Sequence, residues 1–148
     1  MTEQFYANRY ASILYRYSQR FLARALREEA LPLEPAQLPV FLRAAHRPDI
    51  AQEDIAAVTG LDKGTVARTA AALEAQGLLQ RRPDPADRRV NRVSLAPEGQ
   101  ALLPRVEAVI GRLHDVIYKG LTREEQDAAC RLLVQMCDNL RGSLAGPR

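Results

Sequence analysis

The chain has 148 residues, 47% of them apolar, enough for one compact domain or two small interlocked ones with a core of their own. Its net charge of +3 rests on 19 Arg and only two Lys, a bias that suits planar contacts to phosphate and bases but also follows from GC-rich coding alone. No apolar run is long enough to span a membrane and "MTEQFYANRY" has no signal-peptide core, while two His and two Cys at no ligand spacing argue against a metal site or disulfide framework. The expectation is a cytoplasmic protein with no cofactor.

Residues 5 to about 28 read as a long helix, with Tyr10, Leu14, Tyr17 and Phe21 at helical spacing and Arg9, Arg16, Arg20, Arg24 and Arg27 between them. "LPLEP" breaks it, and a second helix begins near Pro35, where Pro39 one turn on is expected to kink it or press it into irregular geometry. "AQEDIAAV" forms a short helix and "TGL" a turn. "DKGTVARTAAALEAQ" forms another helix, with Asp62 as its N-cap and Gly77 just past its end. Strands "LLQRR" and "VNRVSL" flank "PDPAD" as a short hairpin. A long helix opens at Pro97 and should bend at Pro104; it carries Leu102, Val106, Val109, Leu113 and Val116 on one stripe, with Leu103, Ile110 and Ile117 beside it. A capping box at Thr122 to Glu125 starts the last helix, which ends near Leu140, with "GSLAGPR" as a frayed tail. The order α-α-α-α-β-β-α-α is mainly helical with one small β-hairpin. The terminal helices, 1–32 and 97–148, carry more apolar surface than they can bury at home, which suggests a two-fold dimer around a central region, 33–96.

Gln52, Ile55, Ala56, Gly60, Leu61 and Val66 stand at the offsets of a helix-turn-helix, although an ordinary helical hairpin has the same outline. Val66, Ala70 and Leu73 fall inward, so Lys63, Thr65 and Arg68 face outward near the start of the second helix. Such a helix reads the major groove with its N-terminal part: Lys63 and Thr65 suit phosphate, and Arg68 suits either a guanine edge or phosphate. Four acids (Glu53, Asp54, Asp62 and Glu74) outnumber the two cations of this helix pair, so affinity for DNA needs cations from elsewhere. The hairpin that follows supplies five: Arg81, Arg82, Arg88, Arg89 and Arg92. That position makes it a wing.

"DIAAVTGLDKGTVARTAAALEAQGLLQRRPDPADRRVNRVSLAPEGQALL" resembles the central signature of the MarR family of winged-helix transcriptional regulators. The matching parts are the helix-turn-helix ending in "LEAQGLL", an Asp-x-Arg element at Asp87-Arg88-Arg89, and a V-x-L-x-P-x-G exit into a long helix, and the likeness spans roughly residues 33 to 141. It implies a winged helix-turn-helix domain between dimerisation helices, an obligate homodimer, and binding to pseudo-palindromic double-stranded DNA. It also places Arg89 at the wing tip in the minor groove, with Asp87 orienting arginines of the wing and the neighbouring helix. Arg81, Arg82, Arg88 and Arg92 become supporting charges. Two positions depart from the family: Gly64 and Ala96 stand where Ser and Thr are common.

Many members of the family answer to a small aromatic or phenolic anion held in a crevice. The candidates here are Tyr10, Tyr15, Arg16, Tyr17, Phe41, Arg43 and His46, although tyrosines at helical spacing also suit a core. The expected function is a dimeric, ligand-released repressor. Two alternatives are a winged-helix protein-interaction module and a thiol-based redox regulator acting through Cys130 and Cys137, for which inert burial is the simpler expectation. No partnered nucleophile or phosphate-cradling loop points to an enzyme.

Overall fold

Helix α1 (Ala7–Glu28) buries only the C-terminal end of its apolar stripe, at Leu22, Ala25 and Leu26. Its last turn is closed by Leu31 N–H donating to the Leu26 carbonyl and Ala30 N–H to that of Arg27. The computed structural model describes residues 6–146, so the expected helix start at residue 5 and the last two residues of the tail lie outside it. The chain divides into two units, Met1–Leu113 and His114–Arg148.

In the first unit a short 3-10 turn, Pro35–Gln37, precedes α2 (Leu38–His46). Of the two outcomes expected at Pro39 the irregular one is found: the segment from Pro35 starts as a 3-10 turn, and α2 begins only at Leu38, so Pro39 sits in its first turn, where a missing N–H costs nothing. β1 (Ile50–Ala51), α3 (Gln52–Thr59), α4 (Lys63–Ala75), β2 (Leu79–Pro83), β3 (Asn91–Leu95) and α5 (Pro97–Ile117), whose residues after Leu113 belong to the second unit, follow. The strands form an antiparallel sheet in the order β1-β3-β2, with Ile50 opposite Val93 and Leu79 opposite Leu95. β1 escapes a pattern reading because two residues show no alternation; its pairing with β3 ties the start of the helix-turn-helix to the hairpin.

The core is built from Phe41, Val40, Ile55, Val66, Ala70, Leu73, Val93, Val106 and Val109, which draw α2, α3, α4, the sheet and α5 together. The turn between α3 and α4 closes at Gly60, whose φ of 75° is a conformation that other residues adopt only under strain. Asp62 caps α4 by accepting from the Thr65 amide at 2.7 Å. At the other end Gly77 adopts φ 77°, and Leu78 N–H reaches back to the Leu73 carbonyl at 2.9 Å. α5 continues through Pro104 without interruption and buries Val106, Val109 and Leu113, the central part of the expected stripe.

The second unit carries α6 (Arg123–Leu144), started by a reciprocal capping box between Thr122 and Glu125. The helix runs past Leu140 to Leu144, so part of the segment expected to fray is helical. Among its described residues none is buried, and Leu132, Leu133, Val134, Met136, Leu140 and Leu144 are all exposed.

Gly99, in the first turn of α5, packs directly on the Leu78 carbonyl, which also accepts from the Ala96 amide at 2.9 Å. A Cβ at this position would fall inside van der Waals distance of backbone atoms that cannot swing aside. Gly99→Ala is therefore expected to destabilise the fold by about 1–3 kcal/mol, read as a lowered urea midpoint; an unchanged midpoint would show that α5 is not seated on this carbonyl.

A candidate DNA interface

The N-terminal turn of α4 carries a small polar network. The Thr65 hydroxyl donates to Asp62 at 2.8 Å and accepts from Arg68 Nη2 at 3.2 Å. Thr65, offered to phosphate by the sequence, is thus engaged within the first turn of the helix. The residue at Gly64 matters here, because a Cβ would come within 3.1 Å of Arg68 Nη1. The missing side chain leaves room for the guanidinium to lie back across the first turn. Lys63 and Arg68 are both exposed, and the acidic pair Glu53 and Asp54 on α3 also faces solvent.

The wing is shaped by acids. Asp84 is buried, 8% exposed, and is the one buried charged side chain among the described residues. One of its oxygens accepts from the amides of Ala86 at 2.7 Å and Asp87 at 3.1 Å; the other accepts from Arg92 Nε. The Asp84 amide bonds the Val90 carbonyl at 2.8 Å, closing the loop at its neck. At the tip, Asp87 takes the Arg89 guanidinium in a two-point pair, both contacts at 3.0 Å, and also accepts from the Arg89 amide at 3.1 Å. The Arg89 side chain is nonetheless 91% exposed. Asp87 orients this arginine alone; no ion pair joins it to α4 among the described residues.

The five arginines therefore divide. Arg81 forks onto Glu74 of α4, with contacts at 3.0 and 3.3 Å. Arg82 forks onto Asp49, with Nε at 2.8 Å. Arg92 binds Asp84 and also donates to the Asp49 carbonyl at 2.9 Å. These three are internal braces, a role that sequence could not reveal because their partners lie 7 to 43 residues away. Arg88 and Arg89 stand outward at the tip, Arg88 with no partner among the described residues; Arg82, although paired, is also more than half exposed along β2. A cleft of about 310 Å³ between the wing and the helix pair is lined by Gln52, Glu53, Lys63, Ala67, Arg89, Val90 and Asn91. Cations of the helix-turn-helix and of the wing thus share one surface.

The expected effector residues are not gathered in the same way. Phe41 is fully enclosed in the core and offers no surface to a ligand, because the short helix α2 needs its one aromatic to anchor it. Tyr10, Tyr15, Arg16 and Tyr17 are exposed on α1; Tyr15 accepts from Gln19 at 2.8 Å, and Arg20 lies over the Tyr17 ring. Arg43 is exposed, and His46 contacts Glu107 of α5 at 3.1 Å. Two cavities beside α1 are lined by other residues, one by Phe21, Arg24, Ala25, Glu28 and Arg112, the other chiefly by Arg27, Ala30, Leu31 and Leu33. Cys130 and Cys137 are free and exposed on α6, not buried within the chain. No group of three or more His, Cys, Asp or Glu among the described residues could hold a metal ion, and no described helix is long and apolar enough to cross a membrane.

Among the described residues six helices, a three-stranded sheet, a capped helix behind a glycine turn and an arginine-tipped hairpin make up a winged-helix fold. A family model described as MarR family matches residues 31–90. A crystal structure of MarR is 29% identical, with a TM-score of 0.79 over 97% of this chain and 98% of that one. A mutant MarR from E. coli in complex with operator DNA is 25% identical, with a TM-score of 0.75 over 87% and 91%. BpsR of Bordetella bronchiseptica, whose DNA binding is regulated by 6-hydroxynicotinic acid, is 25% identical, with a TM-score of 0.79 over 93% and 99%. Residues 31–90 are thus similar to the MarR family of transcriptional regulators, and the fold matches that of its solved members.

Hydrogen bonds from Arg92 and the Ala86 amide hold the Asp84 carboxyl below its ordinary value of 3.8, and bonds from Arg89 do the same for Asp87. A carboxylate lowered on folding contributes stability that is complete above the unfolded value and is lost as pH falls through the folded one. The wild type should therefore lose thermal stability below about pH 3.8 more steeply than Asp84→Asn, which starts lower and has no such carboxylate to protonate. Parallel melting-temperature profiles from pH 5 to 3 would contradict the assignment.

Proposed function

We propose that this protein is a homodimeric repressor that grips a pseudo-palindromic operator with α4 in the major groove and the wing in the minor groove, and that a small aromatic or phenolic anion releases it. The observation that carries the DNA-binding part is the division of the arginines. Acidic partners hold Arg81, Arg82 and Arg92, Arg82 while still more than half exposed. Lys63 and Arg88, on α4 and the wing tip, are exposed without an acidic partner among the described residues, and Arg68 and Arg89 are exposed beside local partners, Thr65 and Asp87. An inserted Arg suits a narrow minor groove, where the negative potential is strongest. Arg68 supplies base contact from the major-groove helix, and Lys63 and Arg88 supply phosphate contacts.

Self-association is supported by α6, a helix of 22 residues with an apolar face and no buried residue. An isolated helix gains little from propensity alone and needs a packed face to persist. A second copy of the chain, meeting α6 and the exposed apolar residues of α1 across a two-fold axis, supplies that face. Cys130 and Cys137 then lie on the helix that the partner covers. The effector part is supported by BpsR, whose regulator is a hydroxylated aromatic acid.

Arg89→Ala tests the reading. Its side chain is almost fully exposed, so melting temperature and dimer mass should stay unchanged. Operator affinity at matched salt should fall on the order of ten-fold, from ~1–3 kcal/mol of lost contact; undiminished binding refutes the wing's role. Arg68→Ala should relax preference at particular base pairs, whereas a uniform loss across sequences makes Arg68 a phosphate contact.

A further inference from the structure

Asp49 lies in the turn between α2 and β1, outside both the helix-turn-helix and the wing, and its φ of 65° is left-handed. Asp tolerates that region better than most residues, but it is still adopted only where the surroundings hold it. Here the surroundings are the wing. The Asp49 amide donates to Ser94 Oγ at 2.9 Å and its carbonyl accepts from Arg92 Nη1 at 2.9 Å, both on β3; its carboxylate takes Arg82 of β2 in a two-point pair. Each polar group of this one residue is thus committed to the hairpin.

The bonds do not stop there. Arg92 continues to Asp84, Asp84 shapes the loop through the Ala86 and Asp87 amides, and Asp87 holds Arg89. β1, the two residues after Asp49, pairs with β3 and leads directly into α3. Asp49 is therefore the point at which wing and helix-turn-helix are fastened to each other. We infer that Asp49 is a positioning residue for DNA recognition: it fixes the wing against the helix pair so that Arg89 and α4 meet the duplex together. Arg82 acts as its strut and does not contact phosphate. The inference rests on the wing reading above, which Arg89→Ala by itself tests.

Asp49→Asn keeps a residue that tolerates left-handed backbone and keeps both main-chain bonds, but it loses the charged fork to Arg82. Arg82→Gln removes the same fork from the other side and leaves the turn untouched. Operator and unrelated duplex binding are measured by fluorescence anisotropy across a salt series, beside thermal melts. Each variant should lose about five- to ten-fold on the operator with little loss on the unrelated duplex, and the double variant should be no worse than either. The operator effect of Arg89→Ala should shrink at least three-fold in the Asp49→Asn background, because Asp49 acts through that arginine. The inference is overturned if Arg89→Ala costs the same in both backgrounds, or if Asp49→Asn weakens both duplexes equally. It is also overturned if Arg82→Gln lowers the salt slope by about one on unrelated DNA, the mark of a direct phosphate contact. Should Arg89→Ala alone leave operator binding intact, the wing reading itself fails and the inference falls with it.

Discussion

The Asp84 carboxylate under the wing is the constraint on which the interface depends. A buried charge is tolerated only when it is paired and its remaining lone pairs are satisfied. Asp84 meets both conditions by accepting from Arg92 and from two amides of its own loop. Once it is buried in this way, the loop has little freedom left. "PDPAD" becomes a shaped turn, and Asp87 and Arg89 follow in fixed places.

That arrangement also sorts charge. Five arginines in a short hairpin would repel one another and sample many orientations, a poor start for specific recognition. Pairing three of them with Glu74, Asp49 and Asp84 converts repulsion into bracing and leaves the tip cationic. The exposed pairs add little stability individually, about 0.2–1 kcal/mol each. Their larger effect is geometric, because Glu74 lies on α4 and Asp49 lies ahead of α3, so the wing is referenced to both helices of the reading head. Arg68 shows the same economy: it folds back over Gly64 and rests on Thr65, held near the start of α4 before any duplex arrives.

Much of this was legible in the sequence wherever the cause is local. The Asp62 cap, the glycine turn at Gly60, the left-handed Gly77 and the Thr122 capping box each depend on neighbours within a few residues, and each is found. What was not legible depends on distance along the chain. β1 is too short to show alternation, and the partners of Arg82 and Arg92 are set by tertiary packing. Asp84 read as an ordinary turn residue, since nothing in its neighbourhood announces burial. Phe41 in a short apolar helix suits a pocket wall and a core equally well, and packing decided for the core. Pro39 carried a clear signal of helix disruption, but a preceding 3-10 turn moves the helix start to meet it.

The central claim is that the wing is shaped by its acids before it meets DNA. Amide hydrogen exchange on the free protein tests this most directly. The amides of Ala86, Asp87 and Val90, bonded to Asp84 or across the loop, should exchange at rates approaching those of β3, and Asp84→Asn should release them selectively. Exchange near the unprotected rate in the wild type would contradict the account, because the loop would then take its shape only on the duplex.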